Sequence, residues 1–103
     1  MRDLLKQEQH DPRAAEAIEL FCYQARKWIG ALAATLGGLN TLVFSAGIGE
    51  NAPAIRARIC TGLQHLGVTL DEMRNEAGEA VISTDDSKAA VRVMHTDEES
   101  EIA

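Results

Sequence analysis

Five consecutive residues, Gly47-Ile48-Gly49-Glu50-Asn51, have the types and the spacing of a loop that could bind phosphate. They follow the apolar run 41–46 and precede Pro53, where a helix is expected to begin. Glycine lets the backbone come close to a ligand, and the free N–H groups at a helix N-terminus favour an anion. The pattern therefore predicts a phosphate-binding loop between a strand and a helix.

The same loop also fits a dinucleotide-binding fingerprint. Residues 47–52 have the form G-x-G-x-x-A, and Asp71 lies roughly 20 residues further on, where a ribose-binding acid is expected. Pro53 argues against this interpretation, because the fingerprint helix normally starts directly at the glycines. A tight turn that binds nothing is the third interpretation. The loop taken alone leaves all three open.

Helix and strand patterns alternate around the loop. Residues 1–10 are polar and charged, which indicates an irregular segment or a short helical turn. Asp11-Pro12 then predicts a helix start, and apolar residues recur at helical spacing as far as Gly37-Gly38. We expect these positions to face the core: Ile18, Phe21, Cys22, Ala25, Trp28, Ile29, Leu32 and Leu36. The run 41–46 is typical of a strand covered on both faces. A second helix is predicted from Pro53, with Gly67 as a left-handed cap.

The last third of the chain has shorter patterns. Residues 71–78 predict a helical turn and loop, and two short strands are predicted near 79–83 and 89–94. Thr96 to Glu99 has the form of a capping box, which opens a terminal helix. The predicted order is helix-strand-helix-strand-strand-helix, and the predicted fold class is α/β.

Composition narrows the classes of function. A chain of 103 residues forms one small domain or a piece of a larger one. A net charge of −6 without a basic run argues against binding to nucleic acid or to an anionic membrane. No segment reaches the roughly 18 apolar residues of a membrane span. Cys22 and Cys60 lack metal-site spacing, and free thiols in a reducing cytoplasm are favoured over a disulfide. We expect a cytoplasmic protein.

The segment 42–56, LVFSAGIGENAPAIR, closely resembles the GIGEN segment of acetate kinases. The resemblance extends in order over the whole chain, through residues 1–5, 21–23, 29–30, 62–63, 66–67, 70–71, 75, 80–84, 96–99 and 102–103. It corresponds to the last quarter or so of such an enzyme.

This resemblance implies a fold and an activity. Acetate kinases belong to the sugar kinase, Hsp70 and actin superfamily, in which two RNase H-like lobes close on a nucleotide. They transfer a phosphoryl group between ATP and acetate, giving acetyl phosphate and ADP. Residues 1–103 would form a single partial domain, the C-terminal nucleotide-binding portion of one lobe. The full enzyme would bind ATP or ADP, Mg²⁺ and a short-chain carboxylate, either acetate or propionate.

The resemblance also implies site residues. The ATP-binding residues would be Gly47, Ile48, Gly49, Glu50 and Asn51, with Met1 and Arg2 as the end of a second ATP-contacting segment. Glu98 matches the glutamate at the family's magnesium site. No catalytic residue is implied, because the groups that handle the acid and the transferring phosphoryl belong to the part that this chain does not resemble.

Several of these residues have structural alternatives. Asn51 could be the N-cap of the following helix, and Glu98 could be a first-turn acid stabilised by the helix dipole. Arg56 lies one turn after the loop, and we expect its side chain to be exposed on the surface. His95 and Asp97 depart from the family's usual proline and asparagine and make the segment that carries Glu98 more polar.

Three functional hypotheses follow. The first is the ATP-binding C-terminal part of an acetate kinase, inactive alone. The second is a non-catalytic remnant or subunit that assembles with itself, as a homodimer, or with a separately encoded kinase lobe. The third is an NAD-binding fragment.

Overall fold

A computed structural model describes residues 2–45 and 52–94, and it contains helices and strands in a mixed α/β arrangement. Its elements are α1 (Arg2–Gln7), α2 (Pro12–Leu36), β1 (Thr41–Phe44), α3 (Pro53–Thr61), a 3₁₀ helix (Gln64–Leu66), α4 (Glu72–Ala77) and β2 (Ala90–Val93). The α/β fold class is thus confirmed, whereas the order of elements differs from the predicted one.

The observed elements differ from the predicted ones in two respects. Residues 2–7 and 72–77 form complete short helices, where the sequence predicted at most a helical turn. Residues 79–83 do not form a named strand and make only isolated bridges, Val81 with Arg92 and Leu70 with Ser83. The backbone bonds of this segment are divided between two neighbours, since Ile82 N–H donates to Val91 and the Ile82 carbonyl accepts from Asp71. The predicted terminal helix from Thr96 lies outside the described residues.

Helix α2 begins and ends where the sequence predicts. The Asp11 carboxylate accepts a hydrogen bond of 2.9 Å from the backbone N–H of Arg13, and Pro12 occupies the first turn. Gly37 is the C-cap, and its N–H donates to the Ala33 carbonyl. The 25 residues of the helix span about 37 Å at 1.5 Å per residue.

The predicted burial of the whole apolar stripe of α2 is wrong. Ile18 and Cys22 are buried, and Ala25 and Ile29 are partly buried against the core. The other large side chains of the stripe are exposed: Phe21 by 37%, Trp28 by 67%, Leu32 by 56% and Leu36 by 76%. The described part of the chain covers only one side of the apolar arc.

The two strands form a parallel pair. Their register joins Thr41 with Ala90 and Phe44 with Val93. β1 ends at Phe44 and is therefore shorter than the predicted run 41–46. Phe44 is buried, but Val43 is 45% exposed, so the described residues do not cover both faces of this strand as predicted.

Helix α3 supplies much of the core, as its apolar spacing predicts. Ile55 and Ile59 of α3, together with Leu63 just after the helix, are each at most 3% exposed. The helix ends at Thr61, and the 3₁₀ helix that follows ends at Gly67 in a left-handed conformation with φ of 90°. The predicted cap at Gly67 is confirmed, although it closes the 3₁₀ helix rather than α3.

Both cysteines are free and buried, as predicted. Burial raises the pKa of the Cys22 thiol and raises that of Cys60 to about 12, which keeps both thiols protonated. Within residues 2–45 and 52–94, no helix combines the length and the apolar character that crossing a membrane requires.

Candidate functional site

Most of the predicted site residues lie outside the described part of the chain. These are Met1, residues 47–51 and Glu98. Arg2 begins α1, and the structure describes its backbone only. The described elements β1, α3 and β2 border these segments in the sequence.

The parallel register brings two of the predicted segments to one edge of the sheet. Phe44 and Val93, the last residues of β1 and β2, are partners in the register. The Met94 N–H donates a hydrogen bond of 2.9 Å to the Phe44 carbonyl. The described ends of the two strands therefore lie next to each other at the carboxyl edge of the sheet, and in the sequence they precede segments 46–51 and 95–103. In open α/β sheets, ligands bind outside this edge.

Helix α3 begins at the end of the glycine loop. Its N-cap is Ala52, whose carbonyl accepts from the N–H groups of Ile55 at 3.0 Å and Arg56 at 3.1 Å. The alternative in which Asn51 is the N-cap is wrong, because Pro53 at the first helical position places the cap at Ala52. Alanine has no side-chain acceptor, so the N-cap side chain leaves the first-turn amides uncapped.

Arg56, in the first turn of α3, is fully buried. Its Nε donates to Asn75 Oδ1 and its Nη2 donates to the Asn75 carbonyl, both at 2.7 Å. Burial lowers the pKa of the guanidinium from its ordinary value, yet arginine stays charged in proteins. The surface-arginine interpretation is therefore wrong.

Asn75 connects the start of α3 to α4. It is 4% exposed, and its Nδ2 donates a hydrogen bond of 2.9 Å to the Pro53 carbonyl. Together with the bonds from Arg56, one asparagine thus holds two points of the first turn of α3. Sequence reasoning noted Asn75 only as a match to the family, because a contact across 19 positions has no local signal.

A second contact joins the N-terminal region to α3. Arg58 Nη1 and Nη2 each donate to a carboxylate oxygen of Glu8, both at 2.7 Å. This hydrogen bonding holds the pKa of the Glu8 carboxyl below its ordinary value and raises that of Arg58. Arg26 Nη1 also donates to the Arg58 carbonyl at 2.9 Å. The chain just after α1 is thereby fixed to the helix that follows the glycine loop.

Asp71, the candidate ribose-binding acid, has a structural role. Its Oδ1 accepts a hydrogen bond of 3.0 Å from the backbone N–H of Arg74, which caps α4. The Arg74 side chain also donates to the Ser83 carbonyl at 2.7 Å and pairs with Asp85 at 3.0 Å. Capping accounts for Asp71 without a dinucleotide.

Among the described residues, no three histidine, cysteine, aspartate or glutamate side chains are grouped so that they could hold a metal ion. An open groove of about 770 Å³ lies between the N-terminal region, α2 and α3, and Glu8, Glu19, Tyr23, Arg26 and Arg58 contribute to its lining. Helices form the walls of this groove, whereas the predicted phosphate-binding loop follows strand β1 in the sequence.

Solved structures of carboxylate kinases superimpose on this chain. Acetate kinase from Entamoeba histolytica gives a TM-score of 0.87 at 31% identity, over 98% of this chain and 28% of that one. Propionate kinase from Francisella tularensis gives 0.85 at 34% identity, over 99% and 27%. The mixed α/β fold with its small parallel sheet is thus the fold of this part of acetate and propionate kinases.

Sequence comparison identifies the family. The profile of the Acetokinase family matches residues 1–103. The acetate kinase of Rhizobium meliloti is 53% identical over 103 residues, which are all of this chain and 26% of that protein. That of Coprothermobacter proteolyticus is 47% identical over 94 residues, 90% of this chain and 24% of that protein. The chain belongs to the Acetokinase family and spans about a quarter of the length of these relatives.

Proposed function

We propose that this chain is the carboxyl-terminal, ATP-binding part of an acetate kinase and has no kinase activity by itself. The single observation that carries the proposal is the register of β1 and β2. This register ends β1 and β2 side by side at the carboxyl edge of the sheet, and in the sequence the glycine loop follows the end of β1 and the segment of Glu98 follows the end of β2. The family match over residues 1–103 supplies the reaction, phosphoryl transfer between ATP and acetate. We assign the chain to part of an RNase H-like lobe.

In this proposal the glycine loop binds the nucleotide. Residues 47–51 contact ATP or ADP, and Met1 and Arg2 end a second contacting segment. Support comes from α3, a helix of nine residues whose N-cap side chain does not cap it. Its first amides and its dipole favour a phosphate at the loop.

Glu98 would hold Mg²⁺ in this site. Magnesium takes carboxylate oxygen from one or two side chains and completes its shell with phosphate and water. When bound, it neutralises negative charge on the phosphates. Such a cation would also relieve the repulsion between Glu50 and the nucleotide.

The quarter of the relatives that these 103 residues match would form only part of the reaction site. Phosphoryl transfer depends on positioning and on electrostatic stabilisation of the transferring group. In the proposed enzyme, the groups that bind the acid and stabilise this charge come from the part of the relatives that the chain does not match. Both acetate and propionate remain candidate acids. A cytoplasmic location is part of the proposal and is supported by the free buried thiols.

Calorimetric titration with ATP and Mg²⁺ tests nucleotide binding. We expect the 103-residue chain to bind ATP. Glu98→Gln should weaken the magnesium-dependent part of the ATP affinity about tenfold or more. Glu79→Gln, the same change at an exposed position, is the matched control and should bind like wild type. Failure to bind ATP, or a preference for NAD, would contradict the proposal.

A second assay measures acetyl phosphate formation by the chain alone. We expect none above background, and turnover close to that of a full-length acetate kinase would refute the claim of inactivity.

The alternative function is a non-catalytic subunit or remnant that assembles with itself or with a kinase lobe. The exposure of Trp28, Leu32 and Leu36 favours it over a free monomer. Light scattering distinguishes a homodimer from a monomer.

A further inference from the structure

The first turn of α3 has no side-chain cap of its own. Such a cap at a helix N-terminus fixes the start of the helix and occupies its first N–H groups. The N-cap here is Ala52, which makes no side-chain cap bond, and Pro53 follows at the first helical position. The proposed function assigns these first N–H groups to a phosphate. Support for this turn therefore comes from another element.

Asn75 of α4 supplies that support. Its Nδ2 donates a hydrogen bond of 2.9 Å to the carbonyl of Pro53, the first residue of α3. Its Oδ1 and its own carbonyl accept bonds of 2.7 Å from Nε and Nη2 of Arg56, the fourth residue of the helix. Arginine has only donors, so Oδ1 has to face Arg56 and Nδ2 has to face the Pro53 carbonyl. One buried residue thus holds two points of the first turn in a single orientation.

Helix α4 is itself fixed to the sheet. The Asp71 N–H just before the helix donates to the Ile82 carbonyl, and the Ile82 N–H donates to the Val91 carbonyl of β2, both at 2.9 Å. The Asn75 N–H donates at 2.9 Å to the Asp71 carbonyl. A path of hydrogen bonds therefore runs from β2 through α4 to the start of α3. It sets this helix start relative to β2, whose last residue lies at the carboxyl edge of the sheet.

We infer that Asn75 is a positioning residue of the nucleotide site. It acts through Pro53 and Arg56, and it sets the direction in which the first N–H groups of α3 point toward the phosphates of ATP. The inference rests on the proposed function, in which a phosphate lies at this helix start. It goes beyond a role in stability, because it makes the affinity for ATP depend on a side chain in another helix. Oriented donors are effective only when their supports hold them to within about 0.5 Å.

Asn75→Asp separates positioning from stability. The carboxylate keeps an acceptor for Arg56 Nε, and the neighbouring guanidinium keeps it ionised. The bond to the Pro53 carbonyl is lost, because an ionised carboxylate has no donor. Asn75→Ala, which removes both side-chain bonds, is the second variant. Asn40→Asp is the matched control, since it adds the same charge at an exposed position just before β1, at the end opposite the carboxyl edge.

Calorimetric titration with ATP and Mg²⁺ is performed on each variant at a temperature where circular dichroism shows it to be folded. We expect Asn40→Asp to bind ATP like wild type. Both Asn75 variants should bind ATP about fivefold more weakly or worse, the change expected from the loss of one hydrogen bond. Gly67→Ala, a destabilising change beyond the far end of α3, should leave the affinity unchanged. Equal affinity of wild type and the Asn75 variants would overturn the inference.

Hydrogen exchange without nucleotide distinguishes positioning from the added charge of Asn75→Asp. The N–H groups of Ile55 and Arg56 donate to the N-cap carbonyl in the first turn, and that of Ile59, later in α3, is the internal reference. Relative to this reference, we expect the two first-turn groups to exchange about fivefold faster or more in Asn75→Asp than in Asn40→Asp. Weaker ATP binding with unchanged exchange would assign the loss of affinity to charge and would overturn the inference.

The outcomes keep the two proposals separate. If wild type binds ATP and the Asn75 variants bind it equally well, the proposed function stands and only the positioning role is contradicted. If wild type does not bind ATP, the proposed function is contradicted and the positioning role with it.

Discussion

The guanidinium of Arg56 is joined to Asn75 by two hydrogen bonds of 2.7 Å, one to the side-chain oxygen and one to the backbone carbonyl. The Asn75 amide donates in turn to the Pro53 carbonyl. This contact fixes the first turn of α3 against α4, and the glycine loop enters α3 at that turn. The position of the first turn of α3 thus depends on an asparagine distant in sequence.

Replacement of Asn75 by alanine should destabilise the protein by about 2–4 kcal/mol, because the change leaves a buried arginine and a backbone carbonyl each short of a hydrogen bond. Urea unfolding measures the difference. Met73→Ala on the same helix, at a side chain that is 82% exposed, should change stability by less than about 0.5 kcal/mol. A similar, small effect for both variants would show that the contact does not hold α3.

The pair of Glu8 and Arg58 should make stability depend on pH. The pKa of Glu8 is lowered from 4.5 in the folded state, chiefly by its hydrogen bond to Arg58. The folded state therefore binds this proton less readily than the unfolded state does. The stabilisation is complete above the unfolded pKa and is lost as pH falls through the lowered folded-state value.

Glu8→Gln tests this dependence. The free energy of unfolding of wild type should exceed that of the variant near neutral pH, and the two should converge in acid. Glu16→Gln, at an exposed position on α2, is the control, and its free energy of unfolding should change with pH as that of wild type does. A constant gap between wild type and Glu8→Gln at every pH would exclude the ion pair as its source.

Two glycine substitutions should have opposite effects. Gly67 has φ of 90°, and a Cβ added there would lie 2.8 Å from the Lys88 Cβ. Gly67→Ala should therefore destabilise the protein by about 2 kcal/mol or more. Gly30 lies within α2 with nothing within 4 Å of an added Cβ, so Gly30→Ala should stabilise by about 0.5–1 kcal/mol. Thermal unfolding measures whether each substitution raises or lowers stability. If Gly67→Ala left stability unchanged, the cap would tolerate a side chain.

Local signals made much of the fold predictable. Asp11-Pro12 and Pro53 mark helix starts, and Gly67 marks a cap, because these residues act through bonds and dihedral angles within a few positions. The short segment 79–83 was misassigned as a strand, because its pairing is decided by residues distant in sequence that take its hydrogen bonds. The residues of the glycine loop and Glu98 stay predictions from the family resemblance.

The sequence by itself determined the family, the strand before residues 47–51, the helix after them and the ends of α2. Only the tertiary structure decided that Arg56 is buried against Asn75, that Trp28 and Leu32 are exposed, and that the carboxyl ends of β1 and β2 meet. The reason is physical. Periodicity shows which side chains share a face of a helix, but burial depends on how much of the chain covers that face, and hydrogen-bond partners depend on which distant segments meet.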